Sequence, residues 1–339
     1  MNYVAPWWLP GGHQQTIWSA LFARRVQGQA LAYRRERWST PDKDFVDVDW
    51  LIEPASGPSR PSIDRPLLVL FHGLEGNSNS HYAQAFGDYA RKQGWSYAVP
   101  HFRGCSGEIN LAPRAYHSGD FEEIDWILAR FKRHHQGPLL AVGVSLGGNA
   151  LMRWAQEMGH SAQETALAVA SVCSPLDLTA SGYAIGRGFN RQVYTRMFLR
   201  SMKPKALGKL AQHPGLFDRT KLLQANDLYQ FDQVFTAPLH GFKNTDHYWK
   251  KASAKPQLNR IRVPALVLNT GNDPFVPAGS LPRQEDVGDH VHLWQPKQGG
   301  HVGFASGRWP GELQSLPQSV GSWFKEYLSD STVKTATYG

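Results

Sequence analysis

Short runs of consecutive apolar residues recur along this chain and constrain its fold more than any other feature. Leu67–Phe71 and Leu139–Val144 contain no polar side chain, which is typical of strands buried on both faces of a sheet. Helical segments separate such runs, and this alternation predicts an α/β fold with a mostly parallel central sheet flanked by helices. The further strands predicted for this sheet lie at 97–102, 166–173, 263–269 and 290–295.

Two more strands are predicted ahead of the first apolar run, at 33–40 and 45–53, around a turn. In the second of them, apolar residues alternate with Asp47 and Asp49. Such alternation is typical of a strand with one solvated face. We therefore expect 45–53 to form a half-buried strand at the edge of the sheet.

One long interval breaks the alternation of strands and helices. Roughly eighty residues follow the strand predicted at 166–173, and their helices and loops are too long for a single crossover. They are interpreted as an inserted, mainly helical cap. The predicted domains are a first core part at 1–176, the cap at 177–256 and a second core part at 257–328, followed by a flexible tail at 329–339.

Residues 143–147, with the sequence Gly-Val-Ser-Leu-Gly, follow a predicted buried strand and precede a predicted helix at 149–158. A GxSxG pattern in this setting predicts a nucleophile elbow, a tight turn that exposes its serine above the sheet. The alternative is a glycine-rich turn that only packs the helix against the strand, and the position between strand and helix favours the elbow. Ser145 is therefore the candidate nucleophile.

A nucleophilic serine needs a base and an orienting acid, and in enzymes with this elbow the acid and then the histidine follow the serine along the chain. Asp273 lies just after the strand predicted at 263–269, at the end of the sheet where such active sites lie. Asp177 also follows a strand and is the alternative acid, although it stands at the entrance to the cap. His301 follows the last predicted strand in a glycine-rich loop that can fold over the serine.

A tetrahedral intermediate also needs an oxyanion hole made of backbone N–H groups. Leu146 is expected to supply one donor because it directly follows the candidate nucleophile. The second donor is expected from the loop at 72–76, His-Gly-Leu-Glu-Gly, which follows a buried strand. Within that loop the N–H of Leu74 is the candidate, because glycines on both sides let the backbone curl toward the serine.

Further segments extend this pattern to most of the chain. They are 6–9 (PWWL), 11–18 (GGHQQTIW), 72–76 (HGLEG), 102–107 (FRGCSG), 143–149 (GVSLGGN), 235–239 (FTAPL), 272–275 (NDPF) and 299–304 (GGHVGF). Together they resemble the YheT-like branch of the α/β hydrolases, also called the AB hydrolase 4 family. The resemblance implies the α/β-hydrolase fold, the same catalytic triad, and hydrolysis or acyl transfer of carboxylic esters. Relatives often carry Asp where this chain has Asn272, a departure that leaves Asp273 in place.

These features predict a serine hydrolase that cleaves carboxylic esters through an acyl-enzyme, without a cofactor or a metal. The expected substrate is a small-molecule or lipid-like ester. One alternative is an acyltransferase that uses the same triad with an alcohol in place of water. Another is a non-catalytic binding protein on the same scaffold, against which the intact set of Ser145, Asp273 and His301 argues.

The charge of the chain is concentrated in the predicted cap. The net charge is +8, and nine Lys or Arg residues but only one acid, Asp218, lie between Arg187 and Lys221. Apolar residues are interleaved with them. One interpretation is a weak contact with an anionic membrane surface or attraction of anionic substrates, and the other is an ordinary solvated helix face. No nucleic-acid-binding fold is recognisable, so a nucleic-acid partner is not expected.

The two cysteines, Cys105 and Cys173, make no disulfide framework or metal-binding pattern, and buried or half-buried thiols in a reducing compartment are expected. The sequence has no signal-peptide pattern at its start. It also has no apolar run of the length that spans a bilayer. A cytoplasmic location is therefore expected.

Overall fold

The computed structural model describes residues 3–52 and 64–336, and the side chains as far as residue 329. Eight strands in this part of the chain form one sheet, in the order β1-β2-β4-β3-β5-β6-β7-β8. Their bounds are β1 Tyr33–Ser39, β2 Phe45–Leu51, β3 Leu67–Phe71, β4 Ser96–Pro100, β5 Leu139–Val144, β6 Ala168–Val172, β7 Ala265–Leu268 and β8 Val291–Trp294. β2 pairs antiparallel with β1 and β4, and every other pair is parallel. The mostly parallel sheet predicted from the apolar runs is confirmed.

The helices follow the strands as a crossover topology requires. Their bounds are α1 Gly12–Leu21, α2 His81–Gln93, α3 Phe121–His134, α4 Leu146–Met158, α5 Ala162–Thr165, α6 Leu178–Ile185, α7 Gly188–Asn190, α8 Arg196–Gln212, α9 Arg219–Gln224, α10 Leu228–Val234, α11 Thr236–Leu239, α12 Thr245–Ala252 and α13 Ser315–Ala336. A π-helical turn, Arg191–Thr195, joins α7 to α8.

Two apolar layers lie on opposite faces of the sheet. On β3, Leu67, Val69 and Phe71 pack in the layer that contains the apolar residues of α3 and α4. The residues between them, Leu68 and Leu70, pack in the layer that contains α2 and α13. Because side chains alternate along a strand, an uninterrupted apolar run fills both layers at once.

The prediction of a half-buried edge strand at 45–53 was wrong. β2 lies inside the sheet between β1 and β4, and both Asp47 and Asp49 are buried. Arg37 and Arg35 on β1 each donate two hydrogen bonds to these carboxylates, at 2.7–2.9 Å. The alternating charges therefore pair with the neighbouring strand instead of facing water. The end predicted at residue 53 lies outside the described residues.

The segment between β6 and β7 contains α6 to α12 and, within the described residues, no strand. It has an apolar cluster of its own, formed around Leu199, Leu222, Phe231 and Phe235. This segment is called the cap below.

The last helix, α13, runs to Ala336 and so extends into the segment predicted as a flexible tail, which begins at residue 329. Residues 337–339 of that tail lie outside the described residues. Cys105 and Cys173 are both buried and free, as predicted. No helix in the described part of the chain combines the length and apolar character needed to cross a bilayer.

Candidate active site

Ser145 occupies a strained turn between β5 and α4. Its backbone has φ 53° and ψ −120°, a conformation that a non-glycine residue rarely adopts. A Cβ on Gly143 would lie 2.5 Å from the carbonyl oxygen of Gly147, and a Cβ on Gly147 would lie 2.5 Å from the carbonyl oxygen of His72. Both glycines are therefore required by close backbone approaches, as expected for a nucleophile elbow.

The structure brings the three predicted side chains together in a line of hydrogen bonds. His301 Nε2 lies 3.0 Å from Ser145 Oγ, and His301 Nδ1 lies 2.8 Å from Asp273 Oδ2. The other carboxylate oxygen of Asp273 accepts the N–H of Phe275 at 2.7 Å, so the carboxylate is held on both sides. The alternative acid, Asp177, lies instead at the start of α6, where it accepts the N–H of Ala180.

The loop that carries His301 is held by helix α1, a contact that the sequence analysis missed. Gln15 Oε1 accepts the N–H of Gly299 at 2.8 Å and the side-chain amide of Asn272 at 2.9 Å. Thr16 Oγ1 accepts the N–H of His301 at 2.8 Å. The segment 11–18 supported the family resemblance but had no role assigned to it. Buried Gln15 thus ties the acid loop to the histidine loop.

The loop at 72–76 lies directly against the candidate nucleophile. A Cβ on Gly73 would lie 3.2 Å from the Cβ of Ser145. The N–H of Gly73 donates to the hydroxyl of Tyr82 at 2.8 Å. Leu74 and Leu146 both line the same cleft as Ser145. The next N–H along the loop after Gly73 is that of Leu74, the donor predicted for the oxyanion.

Glu75 connects this loop to the cap. Its backbone has φ 58°, and the hydroxyl of Tyr116 accepts its N–H at 3.0 Å while donating to its carboxylate at 2.9 Å. From α8 in the cap, Lys205 Nζ lies 2.9 Å from Glu75 Oε2. The loop next to the candidate oxyanion donor is therefore held from both the core and the cap.

Two of the nine basic residues between Arg187 and Lys221 contact the core. Lys205 pairs with Glu75, and Lys209 is buried and donates to the carbonyl oxygens of Asn110 and Ala112. Burial lowers the pKa of Lys209 to about 8. The sequence pattern could not separate these inward lysines from outward ones, because both kinds occur on one helix.

A cleft between the core and the cap leads to Ser145 and His301. The volume of this cleft, including the part open to solvent, is about 1210 Å³. The apolar residues that line it include Leu74, Leu146, Leu178, Ile185, Phe198, Met202, Phe231, Phe235, Trp249, Phe275 and Val276. A cleft of this size and character fits a largely apolar ligand.

Besides Glu75, one other carboxylate, that of Asp232, lies in the wall of this cleft. Asp232 accepts a hydrogen bond from the indole N–H of Trp249 at 2.8 Å. Burial raises the pKa of Asp232 to about 6, although the hydrogen bonds from Thr236 and Trp249 act in the opposite direction. The imidazole of His117, also in the wall, has its pKa lowered by burial to about 3 and is neutral.

Most of the sequence matches a known family. A model of the alpha/beta hydrolase fold matches residues 66–307. The chain is also 37% identical over 319 residues to YheT of Escherichia coli strain K12, covering 93% of this chain and 91% of YheT. The chain belongs to the α/β-hydrolase family. Within that family, this α/β hydrolase is YheT-like, as the sequence resemblance implied.

More distant relatives of this α/β hydrolase carry names of lipid-cleaving enzymes. The human protein named phospholipase ABHD3 is 26% identical over 320 residues, covering 91% of this chain and 75% of its own. The Saccharomyces cerevisiae protein named monoacylglycerol lipase is 29% identical over 255 residues, covering 72% and 56%.

Solved structures share the fold of this α/β hydrolase at low sequence identity. Est1E of Butyrivibrio proteoclasticus, in a structure described as having ferulic acid bound, aligns with a TM-score of 0.54 and 13% identity over 88% of this chain and 99% of Est1E. The esterase PF2001 of Pyrococcus furiosus aligns with a TM-score of 0.51 and 16% identity, covering 92% and 98%. At these identities the likeness concerns the fold alone.

Proposed function

We propose that this α/β hydrolase cleaves carboxylic esters through an acyl-enzyme formed on Ser145. The observation that carries the proposal is the continuous line of hydrogen bonds from Asp273 through His301 to Ser145 Oγ. Relatives named as lipases and phospholipases support an ester as the substrate. The large apolar cleft beside the serine supports an ester with an apolar acyl chain.

The proposed reaction follows from this geometry. Ser145 attacks the ester carbonyl carbon while His301 Nε2 takes the hydroxyl proton. The same imidazolium then gives that proton to the leaving alcohol oxygen, and the acyl group stays on the serine. A water molecule that loses its proton to His301 attacks the acyl-enzyme, and the imidazolium returns that proton to Ser145 Oγ as the bond to the acyl group breaks and the acid leaves. Asp273 holds the imidazole orientation throughout and stabilises its charged form.

The negative charge on the carbonyl oxygen needs donors at the serine. The N–H of Leu146 is the first of α4 and has no acceptor within that helix. We assign it one oxyanion contact and the N–H of Leu74 the other. Lys205 keeps the neighbouring Glu75 carboxylate paired, which limits its repulsion of the oxyanion.

Probe labelling combined with ester turnover tests this function. A fluorophosphonate, which reacts with activated serines, should label the full chain at one residue, and p-nitrophenyl esters of increasing chain length should be hydrolysed. Ser145→Ala should abolish both signals, since loss of the nucleophile costs roughly six powers of ten in turnover. Ser181→Ala changes another serine of the same cleft and should leave both intact. Labelling that survives in Ser145→Ala would refute the assignment.

A further inference from the structure

The longest helical stretch of the cap has two faces with different surroundings. α7, the π turn and α8 continue one another from residue 188 to residue 212. On the inner side, the rings of Tyr194 and Phe198 lie 4.5 and 6.4 Å from that of Phe275. The ring of Phe275 lies 4.3 Å from that of His301. This stretch therefore forms the wall of the cleft beside the candidate base.

The outer side of the same stretch exposes apolar side chains. Phe189, Val193 and Met197 follow one another at four-residue intervals on one side of this stretch, and the ring of Phe189 also lies 4.6 Å from that of His13 on α1. Their exposed fractions are 53%, 37% and 55%. Large apolar side chains in a row on a surface mark a site of contact with another molecule or a membrane.

The charged residues within this helical stretch are all positive. Arg196 and Arg200 are exposed on α8, and neither forms an ion pair with a carboxylate in the described part of the chain. Asp218, the one acid between residues 187 and 221, lies 3.9 Å from Lys221 and so faces a cation already. A row of apolar residues with flanking arginines is the pattern of helices that lie in a lipid interface.

We propose that the outer face formed by Phe189, Val193, Met197, Arg196 and Arg200 docks on the anionic surface of a lipid bilayer. The apolar side chains enter the headgroup layer, while the guanidinium groups bind lipid phosphates. Three side chains are too few for a stable protein interface, which buries about 800 Å² on each partner. A fluid bilayer needs no such matched area. Docking places the wall of the cleft, and with it the candidate active site, at the lipid.

Flotation with vesicles tests the docking independently of the proposed esterase. The vesicles are made of ether-linked lipids, which contain no carboxylic ester, with either the phosphatidylcholine form alone or a mixture with the phosphatidylglycerol form. The full chain should bind the anionic vesicles, and binding should weaken several-fold as salt rises from low to physiological strength. Binding to neutral vesicles should be at least tenfold weaker. Binding without dependence on lipid charge or salt would overturn the proposal.

Matched variants locate the docking face. Arg196→Glu with Arg200→Glu should weaken anionic-vesicle binding by tenfold or more, because each arginine near the surface contributes roughly fivefold. Lys132→Glu with Arg133→Glu makes the same charge change on exposed residues at the end of α3 and should have a much smaller effect. Equal losses from the two pairs would mean that only net charge matters, which would overturn the assignment of the face.

Two further pairs of substitutions, a test pair and a control pair, measure how much the apolar row contributes to vesicle binding. Phe189→Gln with Met197→Gln should weaken vesicle binding about tenfold and leave hydrolysis of a small soluble ester unchanged. Leu21→Gln with Phe22→Gln alters two other exposed apolar residues, at the end of α1, and should leave binding unchanged. If only this second pair reduced binding, the face would be wrong. Capture of polyglutamate without any vesicle binding would assign the face to an acidic protein instead and overturn the lipid proposal.

Discussion

The core site and the cap are held by different kinds of contact. The loops of Asp273 and His301 are fixed by hydrogen bonds from Gln15 and Thr16, which lie more than 250 residues away in sequence. In the cap, by contrast, several helices begin with an Asp or Asn that accepts N–H groups of its own first turn. These residues are Asp177, Asp218, Asp227 and Asn244.

This difference separates two requirements of the proposed function. Proton transfer between Ser145 and His301 depends on distances near 3 Å, and such distances survive only when the surroundings are rigid. A cleft that admits and releases a substrate needs a wall that can move. Local capping stabilises each helix of the cap by itself, and contacts between helices, such as the hydrogen bond from Trp249 on α12 to Asp232 on α10, set their relative positions.

The largest expected effect concerns the acid of the core site. Asp273→Asn should lower kcat roughly 10⁴-fold, because the imidazole loses the group that sets its tautomer. The fold should remain intact, as checked by circular dichroism. Asp177→Asn should change kcat only a few-fold, since Asn also caps a helix start. If Asp177→Asn were the more damaging of two folded variants, the acid would have been misassigned.

Replacing one glycine in the core site and one in the cap tests how rigidly each region is packed. Gly147→Ala in α4 should destabilise the protein by about 3 kcal/mol, because the new Cβ meets backbone carbonyls that cannot move. Gly208→Ala in α8 meets only the end of the Ile109 side chain. Its stability should stay within about 1 kcal/mol of the wild type, since Ala also favours the helix. Urea unfolding of both variants measures the difference, and equal losses would contradict the contrast.

The hydrogen bonds from Gln15 of α1 to the acid and histidine loops should affect turnover more than substrate binding. Gln15→Met removes the oxygen that accepts from Gly299 and Asn272, so the histidine loop loses its fixed position. We expect kcat to fall on the order of tenfold to hundredfold, with little change in KM. Gln14→Met makes the same substitution at the exposed residue before Gln15, and it should leave kcat and KM unchanged. A KM effect without a kcat effect would show that α1 shapes the cleft instead.

The smallest effect is expected from the buried carboxyl of the cap. In the unfolded chain Asp232 ionises near its ordinary pKa of 3.8, whereas burial raises its pKa in the folded protein to about 6. The folded state therefore binds the proton more tightly, and its stability falls as pH rises from about 4 to about 6. Asp232→Asn cannot ionise and keeps an acceptor for Trp249.

The melting temperature of Asp232→Asn relative to the wild type should thus rise over that pH interval, by on the order of several degrees, and stay constant above it. Asp289→Asn, which changes an exposed carboxyl outside the cap, serves as the control. If the difference in melting temperature between Asp232→Asn and the wild type became smaller from pH 4 to pH 6, burial would not raise the pKa of Asp232.

The features predicted from the sequence are the local ones. The elbow at Ser145 was predictable because its strand, turn and helix are consecutive in the chain. The positions of Asp273 and His301 were predictable because each directly follows a strand of a parallel sheet. Their mutual distances come from the structure, since no pattern within one segment encodes them.

The features that the sequence analysis missed depend on partners far away in the chain. The buried position of Asp47 depends on Arg37 of the neighbouring strand, so the alternation of charges looked like a solvated face. The role of Gln15 depends on Asn272. Lys205 and Lys209 looked like surface charges because the apolar residues of α8 lie on both its inner and outer sides.

The contact between Gln15 and Gly299 spans 284 residues. Because of this separation, the active site can be completed only late in the synthesis of the chain. Gln15 is synthesised before its partner loop, which is made only after β8, the last strand of the sheet. Contacts of such long range form late in folding because the intervening chain must first be ordered. The histidine therefore reaches its working position only when both halves of the core have assembled. Incomplete chains would contain the serine elbow without an organised base, so a nascent hydrolase stays inactive until its fold is closed.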